Sequence, residues 1–269
     1  MTKRLLLHVV LAVGAFVSLF PYLLVVLTAF KSQGQLNTTA PWVPGLPPTT
    51  ANLTRFLSGD FPRYILNTLV MTAVLTAGQL VFTTFAAYAF ARLRFRGREV
   101  LFWLYVATMM VPSAVTMIPL FLIMRELDLV NTWYGLLAPY VLGTPYGIFL
   151  MRQFLRTLPS GLEEAARIDG AGPLTILVRI LLPLCRPALG TLAIITVISS
   201  WNSFLWPLIV TSGEGTRVIT VAIATLKGGI GTDYNLMMAG GLIALLPMLV
   251  VFVFCQKYIV RSVALTGLK

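Results

Sequence analysis

Six apolar stretches dominate the chain, at residues 5–30, 65–91, 101–124, 133–150, 188–210 and 237–260. Each is close to the run of about 20 mostly apolar residues that a helix needs to cross the hydrocarbon core of a bilayer. The pattern predicts six membrane helices. The first run follows Met1-Thr2-Lys3-Arg4 and is longer than the apolar core of a signal peptide, so it is expected to stay as an anchor. Between the first two runs lies a segment with Pro41, Pro44, Pro47, Pro48 and Pro62, a composition suited to a small external cap.

Polar uncharged residues inside the runs are ordered. Thr68, Thr72, Thr76, Gln79 and Thr83 fall within about 80° of one another on the second predicted helix. On the fifth, Thr196, Ser199, Ser200 and Ser203 share about 100°, with Trp201, Asn202 and Trp206 nearby. Such stripes serve helix–helix hydrogen bonding, or a path for a neutral polar solute on which aromatic rings stack. Both readings stand at this point, with Asn67, Thr68, Thr72, Thr76, Gln79, Ser199, Ser200, Trp201, Asn202 and Ser203 as the candidates for the path.

Composition narrows the class. The chain is 58% hydrophobic and only 11% charged, against about 25% charged in a soluble domain. Its mean hydropathy is +0.87. A soluble enzyme, a disordered chain and a disulfide scaffold are excluded. Two cysteines far apart, Cys185 and Cys255, and one histidine, His8, leave no metal-ligand spacing or nucleophile–base pair. The net charge of +11 is not a nucleic-acid footprint, because the basic residues sit between apolar runs.

Placement of those basic residues sets an orientation. Fourteen fall on one side: Lys3, Arg4, Arg92, Arg94, Arg96, Arg98, Arg152, Arg156, Arg167, Arg179, Arg186, Lys257, Arg261 and Lys269. Six fall on the other: Lys31, Arg55, Arg63, Arg125, Arg217 and Lys227. The bias predicts cytoplasmic termini, and Arg92–Arg98 is explained as a topology signal. All nine carboxylates lie outside the apolar runs, so no buried acid is available to bind a coupling ion. No Gly-Lys dipeptide occurs, hence no phosphate-cradling loop. Any energy for pumping must come from a partner.

The loop between the fourth and fifth runs carries the sharpest signal. Ser160 followed by Glu163 has the spacing of a capping box, and Gly170, Gly172 and Pro173 supply a stop. A short helix is expected over about 161–169, with Leu162, Ala165, Ala166 and Asp169 on one arc. A helix this short is marginal alone in water, which implies a docking partner approaching its small side chains.

Glu164-Ala165-Ala166, Gly170, Ile180 and Leu182-Pro183 reproduce the spacing E-A-A-x3-G-x9-I-x-L-P. In this the chain resembles permease subunits of binding-protein-dependent ABC importers. Asn67-Thr68-Leu69, the run from Trp201 to Leu208 and the tail Leu265–Lys269 are similar to the carbohydrate-type group, the second membrane subunits of maltose, lactose and glycerol-3-phosphate importers. The tail departs from the commoner Gly-Ala-Val-Lys-Gly ending.

The resemblance implies an all-α polytopic membrane protein of the type I ABC importer permease fold, with six transmembrane helices. It divides into residues 1–62 (first helix and external segment), 63–260 (a five-helix core with a coupling loop at 152–187) and a 261–269 cytoplasmic tail. The implied place is a bacterial or archaeal cytoplasmic membrane, against membrane lipid. The implied partners are a second permease in a heterodimer, an ATPase dimer that binds ATP and magnesium, and an extracytoplasmic solute-binding protein, with no nucleic acid and no cofactor or metal in the chain itself. Glu164 and Asp169 would position basic groups of the ATPase, Ala165 and Ala166 would pack on it, and Gly170 would permit the turn; in the maltose-type subunit the tail reaches the ATPase dimer interface, a contact that the departing tail of this chain leaves open. The chain would be a transport subunit for a sugar or sugar-like solute and not an enzyme; the alternative is an ion-independent secondary carrier or channel for a neutral polar solute.

Overall fold

The computed structural model describes residues 2–227 and 233–266, with side chains described over 4–227 and 233–256. All regular structure among them is helical: fifteen α-helices, one 3-10 turn and one π turn. Three helices are long and apolar enough to span a membrane, and two bent helix pairs bring the number to five if each pair counts as one span. The chain divides into two compact units, one formed by the residues up to Leu66 with Val218–Val251, the other by Asn67–Arg217 with the residues from Phe252 onward.

In the first unit, α1 (Thr2–Ala29) is apolar on all sides and exposed along most of its length. The proline-bearing segment after α1 folds as α2 (Gln33–Thr38) and α3 (Ala51–Ser58). Ser32 and Gln35 form a reciprocal capping box at the start of α2, satisfying two donors that a helix start leaves orphaned. Lys31 is wholly buried, and its Nζ donates to Thr39 Oγ1 at 3.1 Å and to the Ala40 carbonyl at 2.7 Å. The Lys31 carbonyl accepts from the side chains of Asn52 and Asn235, which tie α3 and the start of α15 (Tyr234–Thr266) to the end of α1. Arg55 and Asp233 pair at the surface. Phe56, Tyr64, Ile219, Ala222 and Leu236 form the core beneath, drawing on α14 (Ile219–Thr225). Gly240 has no side chain because the Phe56 ring occupies that space.

The second unit takes most of α4 (Phe61–Arg92) and the helices that follow to Arg217. The third predicted span is not straight. α5 (Arg98–Ala107) and a 3-10 turn end at Val111, and α6 (Ser113–Glu126) leaves at 103°. Pro112 disfavours helical geometry at the residue before it, and Val111 is extended at φ −84°, ψ 119°. The fourth predicted span is two helices, α7 (Trp133–Val141) and α8 (Pro145–Thr157), parted at Gly143 with φ +107°. Glycine suits that left-handed turn, and Thr83 of α4 fills the space where a side chain would stand.

The fifth predicted span is broken as well. α12 (Arg186–Trp201) ends at Asn202, and α13 (Leu205–Val210) begins after Phe204. Pro207 has no N–H to offer the carbonyl four residues earlier, so the helix is not carried through. Upstream, α10 (Pro173–Thr175), the π turn Ile176–Leu181 and α11 (Leu182–Leu184) run at 80° to α12. The core holding these pieces contains Phe102, Met151, Leu155, Ile176, Leu177, Leu181 and Leu192. Arg152 is buried within it, its guanidinium 3.8 Å from the Phe102 ring centre and 2.7 Å from both Glu99 oxygens.

Candidate functional site: a polar cavity and a surface helix

The second unit encloses an open cavity of about 870 Å³, within the range of small-molecule sites. Its walls come from α4, α6, α7, α8, α12, the break that follows α12 and the start of α13. The polar lining is Gln79, Ser113, Tyr140, Thr144, Tyr146, Thr196, Ser199, Ser200, Asn202 and Ser203, with Trp206 as the aromatic wall. Among the described residues, no lysine, arginine, histidine, aspartate or glutamate lines it.

Gln79 is the fixed point. Its Nε2 donates to the Tyr140 carbonyl at 3.0 Å, and its Oε1 accepts from Thr196 Oγ1 at 3.1 Å. The amide thus cross-links α4, α7 and α12 at the cavity edge. Trp206 is buried, donates from Nε1 to the Gly135 carbonyl at 3.2 Å, and meets Tyr140 edge-on at 6.1 Å.

The two polar stripes divide differently from the sequence expectation. Of the α4 stripe, only Gln79 lines the cavity. Thr68, Thr72 and Thr83 are buried and Thr76 is half-buried, none of them in the lining. Gly78 packs on Val141 and Thr83 on Gly143 and Gly147, so glycines on α4, on α8 and at the turn between α7 and α8 bring the backbones close. Asn67 holds the loop between α13 and α14 instead, donating to the carbonyls of Gly215 at 3.1 Å and Arg217 at 2.8 Å. On the other stripe, Ser199, Ser200, Asn202 and Ser203 do line the cavity, whereas Trp201 is buried away from it. Tyr140, Thr144 and Ser113 were missed because the bends that bring them together leave no period in the sequence.

At the loop, α9 (Gly161–Ile168) forms, with Asp169 as its C-cap and Gly170 at φ +82° making the turn. The capping box does not. Ser160 is itself in helical geometry and makes no side-chain cap. Glu163 is drawn inward to Arg92, Nε to Oε1 at 2.9 Å, and an outer arginine, Arg167, stands 3.5 Å from its other oxygen. Ala166 also corrects the expectation, because it is buried in this chain's own core and is not available to a partner. Leu162, Glu164, Ala165, Ile168 and Asp169 are exposed, Ile168 at 87%. Ile180 and Leu182 pack against the same core, and Pro183 is exposed. Of the tail, residues 267–269 lie outside the described residues.

Residues 79–265 match the protein-family profile described as "Binding-protein-dependent transport system inner membrane component". The arabinooligosaccharide transport permease AraQ of Halalkalibacterium halodurans is 32% identical over 260 residues, covering 95% of this chain and 92% of that one. The sn-glycerol-3-phosphate transport permease UgpE of Yersinia pestis is 33% identical over 265 residues, covering 95% and 94%. Among solved structures, a bacterial ABC transporter involved in import of the acidic polysaccharide alginate superposes with a TM-score of 0.85 at 26% identity over 96% of each chain.

Proposed function

Because the chain belongs to the binding-protein-dependent transport system inner membrane components, the multi-pass permease subunits of ABC importers, we propose that its cavity passes a neutral sugar or sugar-like solute. The chain is the permease and not the ATPase. The observation that carries the reading is the uncharged lining around about 870 Å³: hydroxyls, two amides and an indole set among Leu75, Met117, Leu192, Ile195, Phe204 and Leu205. Hydroxyl and amide groups exchange hydrogen bonds with sugar hydroxyls, and an aromatic face covers the apolar side of a pyranose or furanose ring. An anionic solute would call for a cation in the wall. AraQ carries arabinooligosaccharides by its name, and that class suits this lining better than the anions named for UgpE and the alginate transporter.

The drive comes through α9. Its exposed Leu162, Ala165 and Ile168 offer an apolar patch flanked by Glu164 and Asp169, which docks in a cleft of the partner ATPase with the carboxylates against basic groups. ATP binds the closed ATPase pair better than the open one, and this difference shifts the permease between inward- and outward-facing states. A second permease completes the path, and a solute-binding protein delivers to the outside. Six crossings with cytoplasmic termini complete the proposed topology; each bent pair counts as one, and α7 with α8 as another.

Reconstitution with the partner ATPase, second permease and binding protein tests the reading. ATP hydrolysis and uptake should rise with arabino-oligosaccharides and not with sn-glycerol 3-phosphate or alginate oligosaccharides. Stimulation by the anions alone would overturn the neutral-solute proposal.

A further inference from the structure

Arg92 is the last residue of α4, and its guanidinium is shared among three helices. Nε faces Glu163 of α9 at 2.9 Å, and Nη2 donates to the carbonyls of Leu155 and Leu158 at the end of α8, each at 2.6 Å. Both charged side chains are largely shielded, at 12% and 5% exposure. A topology signal needs none of this, since a lysine or arginine free in the cytoplasm sets orientation equally well. Only a planar fork can meet a carboxylate and two carbonyls at once.

α4 then runs without a break from Arg92 back to Gln79, thirteen residues or about 20 Å along the axis. Gln79 is the side chain that holds α7 and α12 at the cavity edge. The outer face of α9 is left free by the same arrangement, because Glu163 and Ala166 point inward while Ala165 and Ile168 point out.

We propose that Arg92 is the positioning residue through which α9 moves α4, making a push on the surface helix a displacement of the cavity wall. The inference rests on the ATP-coupled reading above. It assigns Arg92 and Glu163 to transmission, and leaves docking of the ATPase to the exposed face.

The test uses the assembled complex with Ser113→Cys in the cavity and Cys185→Ala and Cys255→Ala elsewhere. The probe is the rate of labelling by a membrane-impermeant maleimide, with MgATP and orthovanadate and without nucleotide. In Arg92→Gln and in Glu163→Gln the ATPase should still co-purify, while the nucleotide-dependent change in labelling falls about tenfold, a common size for coupling between linked sites. Arg92→Lys, which keeps a charge opposite Glu163 but loses the fork that also reaches both α8 carbonyls, should recover only part of that change. A full nucleotide response in Arg92→Gln would overturn the proposal. So would loss of the ATPase from it, or recovery with lysine no better than with glutamine. An unsubstituted Arg92 complex that shows no nucleotide response at all would instead overturn the ATP-coupled reading.

Discussion

Gln79 and Thr76 are one turn apart on α4, yet substitution should separate them. Gln79→Leu removes the amide that joins the Tyr140 carbonyl to the Thr196 hydroxyl, leaving the carbonyl only its backbone donors, at a cost of about 1 kcal/mol for each hydrogen bond lost within a membrane protein. Uptake should fall severalfold while the ATPase still binds. Thr76 makes no hydrogen bond through its hydroxyl and does not line the cavity. Thr76→Val should therefore transport at the rate of the unsubstituted chain, as radiolabelled sugar uptake will report. The sequence places both residues on one stripe, and it cannot rank them. Rank comes from Tyr140 and Thr196, which reach Gln79 only after two other helices have bent.

At the scale of elements, α9 makes two contrasting substitutions informative. Ala166→Arg forces a long cation into a core formed by Leu155, Ile176 and Leu177, costing about 3 kcal/mol or more from overpacking and an unpaired charge. It should lower the melting temperature of the isolated permease. Ile168→Arg changes a residue already in water, so the permease should melt as before and lose its ATPase on purification. Co-purification and melting curves together read both. The existence and ends of α9 were legible from Gly161 to Asp169, because glycine and proline mark helix ends locally. Its facing was not, since Ala165 and Ala166 differ only in what the rest of the unit sets against them. The capping-box spacing misled for a related reason: Arg92 lies 71 residues before Glu163 and outbids Ser160 for it.

For the whole molecule, the bias of fourteen basic residues against six is the basis of an orientation that labelling can check. Cysteines at Trp42 and Gly215 should react with impermeant reagent from outside intact cells, and a cysteine at Ile168 only after the membrane is opened. Reaction at Trp42 from the inside alone would reverse the orientation. The rough place of the apolar helices was readable because a bilayer imposes a minimum length on each run, while among the described residues three helices, or five if each bent pair is one span, are long and apolar enough to cross. The bends at Val111–Pro112 and at Asn202–Phe204 were not read, although both carry a proline nearby. A hydropathy average passes over a single proline, and a 103° turn adds no polar residue to betray itself.

The break after Trp201 has a consequence for how such a transporter changes its diet. Non-helical backbone is tolerated at membrane depth where it borders a cavity or is buried in protein, and here Asn202, Ser203 and Phe204 border one. Its backbone groups are already engaged: Asn202 and Ser203 donate their N–H groups to the Ile198 and Ser200 carbonyls, and the Phe204 carbonyl accepts from Leu208. The kink therefore meets the cavity through side chains carried on backbone that no longer turns at helical spacing. Substitutions at 202–204 would retune this part of the wall without unwinding a helix, and Pro207 is the residue that keeps the kink in place.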